Sequence, residues 1–456
     1  MLRLSGGQVE SLFDVALPVE VRELPADLAA LDALLDDPGL LAPVEQAWDE
    51  AARHFGRPTI PIERLLRLMV VKQRSGWGYE TLVREVSDSL HLRRFCRIAL
   101  SERVPDESTI RKLVRRLGPD VIDEITRALL VEAMTGERRF VARAVRCDST
   151  VIEADVRYPS DLDLAADATR ALAREAARTR QLAGAGAPRV RNRSRAVNRR
   201  LRSLNRTLAR RTGEGKQVAL RLTGQGGELV RRSVAETRRL ARRLRERARG
   251  RGAQRKLAAA RRLEQLADRA EKVARQIRRR LAGEKITDRL VSMSDPDARP
   301  IRKGKLRSPT EFGYVFQLTE LTENTRRGTR GLILPAPSAI GSPNESDLLP
   351  ATGAELDRLG IRPQDVAVDG GFAPAPVGEH LRASKRTFIA GRQSTGSRRS
   401  DRRLARYRVG SEGRISHLKR RYGLGRSRLK GHQGARIWVA WGLLAYNLDT
   451  LAIRSA

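Results

Sequence analysis

RFVARAVRCDSTVIE, residues 139–153, is the stretch on which the fold turns. Everything before it reads as helix. Here β-branched and apolar residues gather around Cys147 and place Asp148 in an extended segment. Outward from it, TDRLVSMSDPDARP (287–300) and EFGYVFQLTELT (311–322) read as two more strands. Ser346–Leu359 is helical by pattern. DVAVDGG (365–371) is a short buried strand ending in Asp369 and a glycine turn, and RTFIA (386–390) is a further strand. Two long helices follow near 401–422 and 435–452. Strands alternating with helices in this order predict an α/β domain with a mixed sheet over 139–164 and 290–456.

Before that domain, 1–57 reads as an acidic, partly helical lead-in closed by Pro58-Thr59-Ile60-Pro61. In 58–135 the apolar residues fall at helical spacing: Ile62, Leu65, Leu66 and Met69, then Tyr79, Leu82, Val83 and Val86. A third helix follows Asp106 with Ile110, Leu113, Val114 and Leu117 inside, and ends at Gly118-Pro119. Its outer positions carry Arg111, Lys112, Arg115 and Arg116, which suits a helix-turn-helix-like DNA-binding module; a helical packing module fits the same pattern.

Residues 165–289 interrupt the α/β pattern with a helical stretch of low complexity, cut by Gly184–Pro188 and Gly213–Gly227. Leu263, Leu266, Ala270, Val273, Ile277 and Leu281 form the seam of a short coiled coil, and the outward positions are mostly arginine. A helical hairpin set in a loop fits this, ordered fully only on nucleic acid.

The charge follows these divisions. The 456 residues carry a net +36. Residues 165–289 hold 38 Lys+Arg against 11 Asp+Glu, whereas 1–60 hold 4 Arg against 11 acidic residues. A 40% apolar share excludes a wholly disordered polycation, and two cysteines exclude a disulfide scaffold. No apolar run is long enough for a membrane span, and no signal pattern is present, so a cytoplasmic setting is expected. A charge of this size calls for a polyanionic partner, nucleic acid first.

Asp148 and Asp369 end two strands of one sheet. If the strands are neighbours, two carboxylates meet at one edge and repel, and a divalent cation relieves the repulsion. Mg²⁺ is the hard, oxygen-seeking choice; Mn²⁺ can substitute. A third carboxylate is expected, and Glu412 is the only acidic residue between 403 and 430. Composition alone favours a routine ion pair with Arg408 or Lys419. The five histidines and two cysteines show no zinc spacing.

RCDSTVIEADVRYPSD (146–161), SDPDARPIRKGKLRSPTEFGY (294–314), VAVDGGFA (366–373) and GSEGRISHLKRRYGLGRSRLKG (410–431) together resemble the blocks of insertion-sequence transposases of the DDE class. FGRPTIPIERLLRLMVVKQRSGWGYETLVREVSDSL (55–90) resembles the N-terminal domain of InsH-type members. The resemblance implies a ribonuclease-H-like mixed sheet with flanking helices, preceded by an all-α module and interrupted by the Arg-rich insertion. It implies that Asp148, Asp369 and Glu412 are the catalytic and metal-binding triad. Against the Y-x₂-R-x₃-E-x₆-K signature of related transposases, Arg408, Glu412 and Lys419 match the last three positions, and Ala405 stands at the tyrosine position. Arg408 and Lys419 then hold DNA phosphate. The expected activity is metal-dependent cleavage at the element's ends and 3′-hydroxyl strand transfer into target DNA, by a homo-oligomer on double-stranded DNA in the bacterial nucleoid. The expected DNA partners are the terminal inverted repeats and the target. A non-catalytic DNA-binding derivative, and a metal-dependent nuclease without strand transfer, are the alternatives.

Overall fold

The computed structural model describes residues 1–6, 17–48, 53–54, 56–137, 139–157, 160–209, 213–302, 310–392 and 397–455. In chain order the first helices are α1 (Val19–Arg22), α2 (Ala26–Leu35), α3 (Ala42–Ala47), α4 (Ile62–Ser75), α5 (Tyr79–Asp88), α6 (Leu90–Phe95) and α7 (Glu107–Thr135). Strand β1 (Ala144–Ala154) follows, then α8 (Asp161–Thr179), α9 (Ser194–Ala209), α10 (Gly213–Glu246), α11 (Ala253–Leu281) and β2 (Arg299–Arg302). The remainder is β3 (Thr310–Thr322), β4 (Leu332–Ile333), β5 (Ser338–Ile340), α12 (Leu349–Arg358), β6 (Asp365–Val368), α13 (Pro374–Leu381), β7 (Arg386–Ile389), α14 (Arg398–Arg421), β8 (Arg426–Ser427) and α15 (His432–Ser455). The chain divides into two compact units, Met1–Asp155 with Gly313–Ala456, and Val156–Phe312.

In the first unit the N-terminal helices and the sheet share one core. Ile62, Leu65, Leu66 and Met69 are buried, as their spacing requires. Asp106 caps α7, accepting from the Thr109 amide at 2.9 Å. Gly118, at φ +73°, breaks α7 just before Pro119, which restarts it. Residues 26–48 belong to this core through Leu31, Leu40, Val44 and Trp48. Their acidity has a local use. Arg67 is fully buried in α4, and Asp32 and Asp36 of α2 and the turn after it pair with it and with Arg97. A buried guanidinium needs such partners.

Strand β1 is central. It runs antiparallel to β3, from Ala144↔Thr322 to Glu153↔Gly313, and parallel to β6, from Ala144↔Asp365 to Cys147↔Val368. β7 pairs in parallel with β6. The pleat sends alternate residues to opposite faces. Val145, Cys147, Val366 and Val368 join the core formed with α12, α13, α15 and the N-terminal helices. Ala144 and Ala367 face the other way and pack against Leu404 and Tyr407 of α14. α15 is buried along most of its length, including Trp441 and Tyr446.

The second unit is a helical bundle with its own interior. Leu162, Leu172, Val197, Val234, Ala267, Val273 and Ile277 bring α8, α9, α10 and α11 together. The expected seam on α11 is buried at Leu263, Ala270, Val273 and Ile277, while Leu281 is exposed. Three sequence expectations change here. The insertion is not a hairpin but four packed helices. Gly213–Gly227 is not a divider but the first half of α10. A Cβ at Gly226 would stand 2.4 Å from Leu162 Cδ2, so the glycines allow close helix approach where propensity alone predicts a break. Residues 287–298 form no strand; Leu290 and Met293 turn into the bundle core instead, and only Arg299–Arg302 is extended in a sheet.

A cluster of carboxylates at the strand ends

Asp148 does not end its strand, as the sequence suggested, but lies within β1 opposite Leu318 of β3. Because Cys147 pairs with Val368 in the parallel register, Asp148 and Asp369, the residue just past β6, stand side by side. Each accepts a hydrogen bond from the amide that follows it: Ser149 N to Asp148 Oδ1 at 2.7 Å, and Gly370 N to Asp369 Oδ1 at 2.5 Å. A third carboxylate joins them. Glu345 opens a short 3₁₀ turn (Glu345–Leu348) ahead of α12, and one oxygen from each of Asp148, Glu345 and Asp369 lies within 4.8 Å of the others. All three are half-buried.

Several contacts fix Glu345. Its carbonyl accepts from Gln317 Nε2 of β3 at 2.8 Å, and Ser346 Oγ accepts from the Ala373 amide at 2.8 Å. The turn is closed by a reciprocal cap between Asn344 and Asp347. A Cβ at Gly371 would stand 2.1 Å from Glu345 Oε2, so a side chain there would displace that carboxylate. Nothing periodic in the sequence around Glu345 marks it. Its one local signal is the N-x-x-D spacing of Asn344 and Asp347, which announces a helix start and not a ligand.

Three carboxylates and no nitrogen or sulfur make a donor set for a hard divalent cation. The neighbouring thiol does not belong to it. Cys147 is fully buried, its Sγ accepts from Thr319 Oγ1 at 3.3 Å, and burial, reinforced by Asp148 and Glu345, pushes its pKa up to about 12.

Glu412 is not part of this cluster. Its side chain is 66% exposed on α14 and lies 3.5 Å from Arg408 Nη2, the ion pair that composition allowed. The helix that carries it nonetheless lies on the aspartates' side of the sheet. Arg146, two residues before Asp148 and on the same face, donates to the Tyr407 carbonyl at 2.9 Å. Arg403 meets Asp365 at 3.0 Å where β6 begins, so α14 advances in the strands' direction. From Arg403 to Glu412 it rises about 13 Å, and β6 advances by about the same from Asp365 to Asp369. Under the helix, Arg146 and Arg414 share the buried Glu320 at 2.6 and 2.9 Å.

Of the other expected contacts, Lys419 is half-buried on α14. Tyr407 is buried and shares a 2.7 Å hydrogen bond with Thr322, a core role. Arg111, Lys112, Arg115 and Arg116 all lie exposed on the first half of α7, with Arg111 paired to Glu107 and Arg116 stacked 3.9 Å over Trp48. No helix among the described residues is long and apolar enough to cross a membrane.

Residues 20–116 match the transposase domain family (DUF772), and residues 329–448 match the transposase DDE domain. The second match spans Glu345, Asp369 and Glu412; Asp148 precedes it. With the mixed sheet and its flanking helices, that match gives the α/β unit the ribonuclease-H-like class. No curated protein and no solved structure matches the chain.

Proposed function

This chain carries two transposase domains, the second of the DDE class, and from that premise we propose that it cuts and joins DNA at the ends of an insertion sequence. The observation that carries the reading is the meeting of Asp148, Glu345 and Asp369 where β6 ends beside β1, within 4.8 Å. Three half-buried carboxylates so close together are held against their mutual repulsion unless a cation sits among them. Mg²⁺ is the ion these oxygens suit, with Mn²⁺ as a substitute. Bound there, it would supply an activated water or 3′-hydroxyl and neutralise charge on the leaving oxygen.

The chain's own part is positioning. Asp148 presents its oxygens from within β1 and Asp369 from the end of β6, and Gln317 with Ser346 holds Glu345 toward them. Glu412 is the fourth carboxylate. Its exposed pair with Arg408 is weak by nature. A DNA phosphate reaching α14 takes Arg408 and frees Glu412 to turn to the strand edge. Lys419, about two helical turns on, holds the same backbone. The exposed Arg111, Lys112, Arg115 and Arg116 on α7 bind the terminal repeats, and the protein acts as an oligomer on its two ends.

The test is cleavage and joining on duplexes taken from the ends of the element that encodes the chain. With Mg²⁺ the native protein nicks at the end and joins the 3′-hydroxyl to a second duplex. Asp148→Ala, Asp369→Ala and Glu412→Ala each lose cleavage while keeping end binding. Cleavage that survives all three substitutions overturns the reading.

A further inference from the structure

The sheet has a second charged edge, opposite the carboxylates. A cleft of about 1300 Å³ opens where β1, β6 and β7 begin, bounded by the turn after β3 and the first turns of α14. Among the described residues, eight arginines line it against two carboxylates, Glu323 and Asp365. Both carboxylates are engaged. Asp365 holds Arg386 at 2.8 Å and Arg403 at 3.0 Å, and Glu323 is paired with Arg454. Arg143, Arg326, Arg327, Arg399 and Arg406 line the same cleft without a carboxylate partner among the described residues. Arg143, Arg399 and Arg406 are also exposed.

Guanidinium groups gathered in this way repel one another until an anion enters. Their forked donors match phosphate oxygens. The N-terminus of α14, where Ser397 caps the Ser400 amide, opens on the same space and adds its dipole. Among the described residues lining the cleft none is aromatic, so they offer bases nothing to stack on. This is chemistry for a sugar–phosphate backbone, read by charge and not by sequence.

The distance is also suitable. Four residue steps along β6 lead from Asp365 in the cleft to Asp369 at the carboxylates, about 13 Å of strand. Phosphates along one DNA strand advance about 3.4 Å each. α14 spans the interval, lining the cleft with its first turns and carrying Arg408 and Glu412 further on. We propose that this cleft is a second phosphodiester-binding site, gripping the backbone of the same nucleic acid about four nucleotides from the phosphate at Asp148 and Asp369. This rests on the transposase reading for the position of the reacting phosphate, and on the cleft alone for the binding.

The test uses the full chain, a labelled duplex of about 40 base pairs and no added metal, so that it reads binding without chemistry. Charge reversal at Arg326, Arg327 and Arg406 (R326E/R327E/R406E) is compared with reversal at Arg84, Arg358 and Arg362, three exposed arginines elsewhere in the unit. The cleft variant is expected to lose affinity about tenfold or more, with the slope of log K against log salt shallower by about 2–3. The control keeps a near-native slope. If reversal impairs folding, R326A/R327A reads the same change at smaller size. Native affinity and slope in the cleft variant, or an equal loss in the control, overturns the cleft. A cleft variant that loses DNA while the native chain proves unable to cleave leaves the binding site standing and removes the transposase reading of the carboxylates.

Discussion

Gln317 holds Glu345 by its backbone: its Nε2 donates to the Glu345 carbonyl at 2.8 Å, while its Oε1 accepts from Thr352 Oγ1 at 2.7 Å. Gln317 is itself fully buried on β3. Replacing it with Met leaves two buried polar groups unpaired, a cost of about 1–3 kcal/mol. Mn²⁺ affinity, followed by electron paramagnetic resonance, is expected to fall by about tenfold or more, as for other residues that orient a ligand. A lowered melting temperature with unchanged Mn²⁺ affinity would make Gln317 a core residue and nothing else.

Gly371→Ala tests the same ligand from the other side. The new methyl meets the Glu345 carboxylate, and Gly371 lies at an exposed turn, so stability is expected to change little. Mn²⁺ binding should weaken to the level of Glu345→Gln. Native affinity in the variant would show that Glu345 is not a ligand.

Glu412→Gln separates the two acidic residues by condition. Without DNA, Mn²⁺ affinity is expected to match the native protein, because Glu412 lies outside the cluster. With end DNA bound, affinity should fall and cleavage should drop by about 10² or more. Equal Mn²⁺ affinity in both conditions, with full cleavage, excludes Glu412 from the site.

Lys72 gives a pH signature in the N-terminal helices. It is buried in α4 between the rings of Tyr79 and Trp438, at 4.9 and 4.5 Å, and burial, helped by Arg428, lowers its pKa from 10.5 to about 8. Between those values the unfolded chain binds a proton that the folded one does not. Stability from this group therefore rises as pH climbs from about 8 toward 10.5, and the desolvation cost is fully present below 8. Lys72→Met is expected to flatten that rise in thermal melts. Parallel pH profiles for the native and Met proteins would refute the shift.

Removing the bundle tests what most of the charge is for. Glu153 and Gly313 are register partners on antiparallel strands, so residues 154–312 can be replaced by an Asn-Gly turn. The shortened chain is expected to keep Mn²⁺ binding, and to bind DNA more weakly with a shallower salt dependence. An unchanged salt slope would assign the bundle's arginines to something other than DNA.

The two aspartates were legible because each needs only local signals. Asp148 sits in a β-rich segment that interrupts helical sequence, and Asp369 precedes two glycines. Glu345 was not legible. Its place depends on a hydrogen bond from Gln317, 28 residues earlier, and on the close approach of Gly371, and neither leaves a pattern in sequence. Glu412 stood out for its isolation among basic residues, yet isolation reveals a charge and not where its side chain points. The glycines of α10 misled for a related reason: a residue that breaks helices in isolation is chosen where another helix leaves no room for a Cβ. Residues 287–298 have strand-like apolar content, but a tertiary core claimed Leu290 and Met293.

Asp161 clips the start of the bundle to its end, holding Arg280 at 2.7 Å and Arg289 at 3.0 Å from a nearly buried position. This bears on the order of folding. For β1 to find β3, the chain must otherwise close a loop of about 160 residues. Once the bundle has formed, the clip shortens the free path to about 30 residues and removes roughly 1.4 kcal/mol of closure entropy. The bundle thus acts as a splint that brings β1 and β3 within reach of each other.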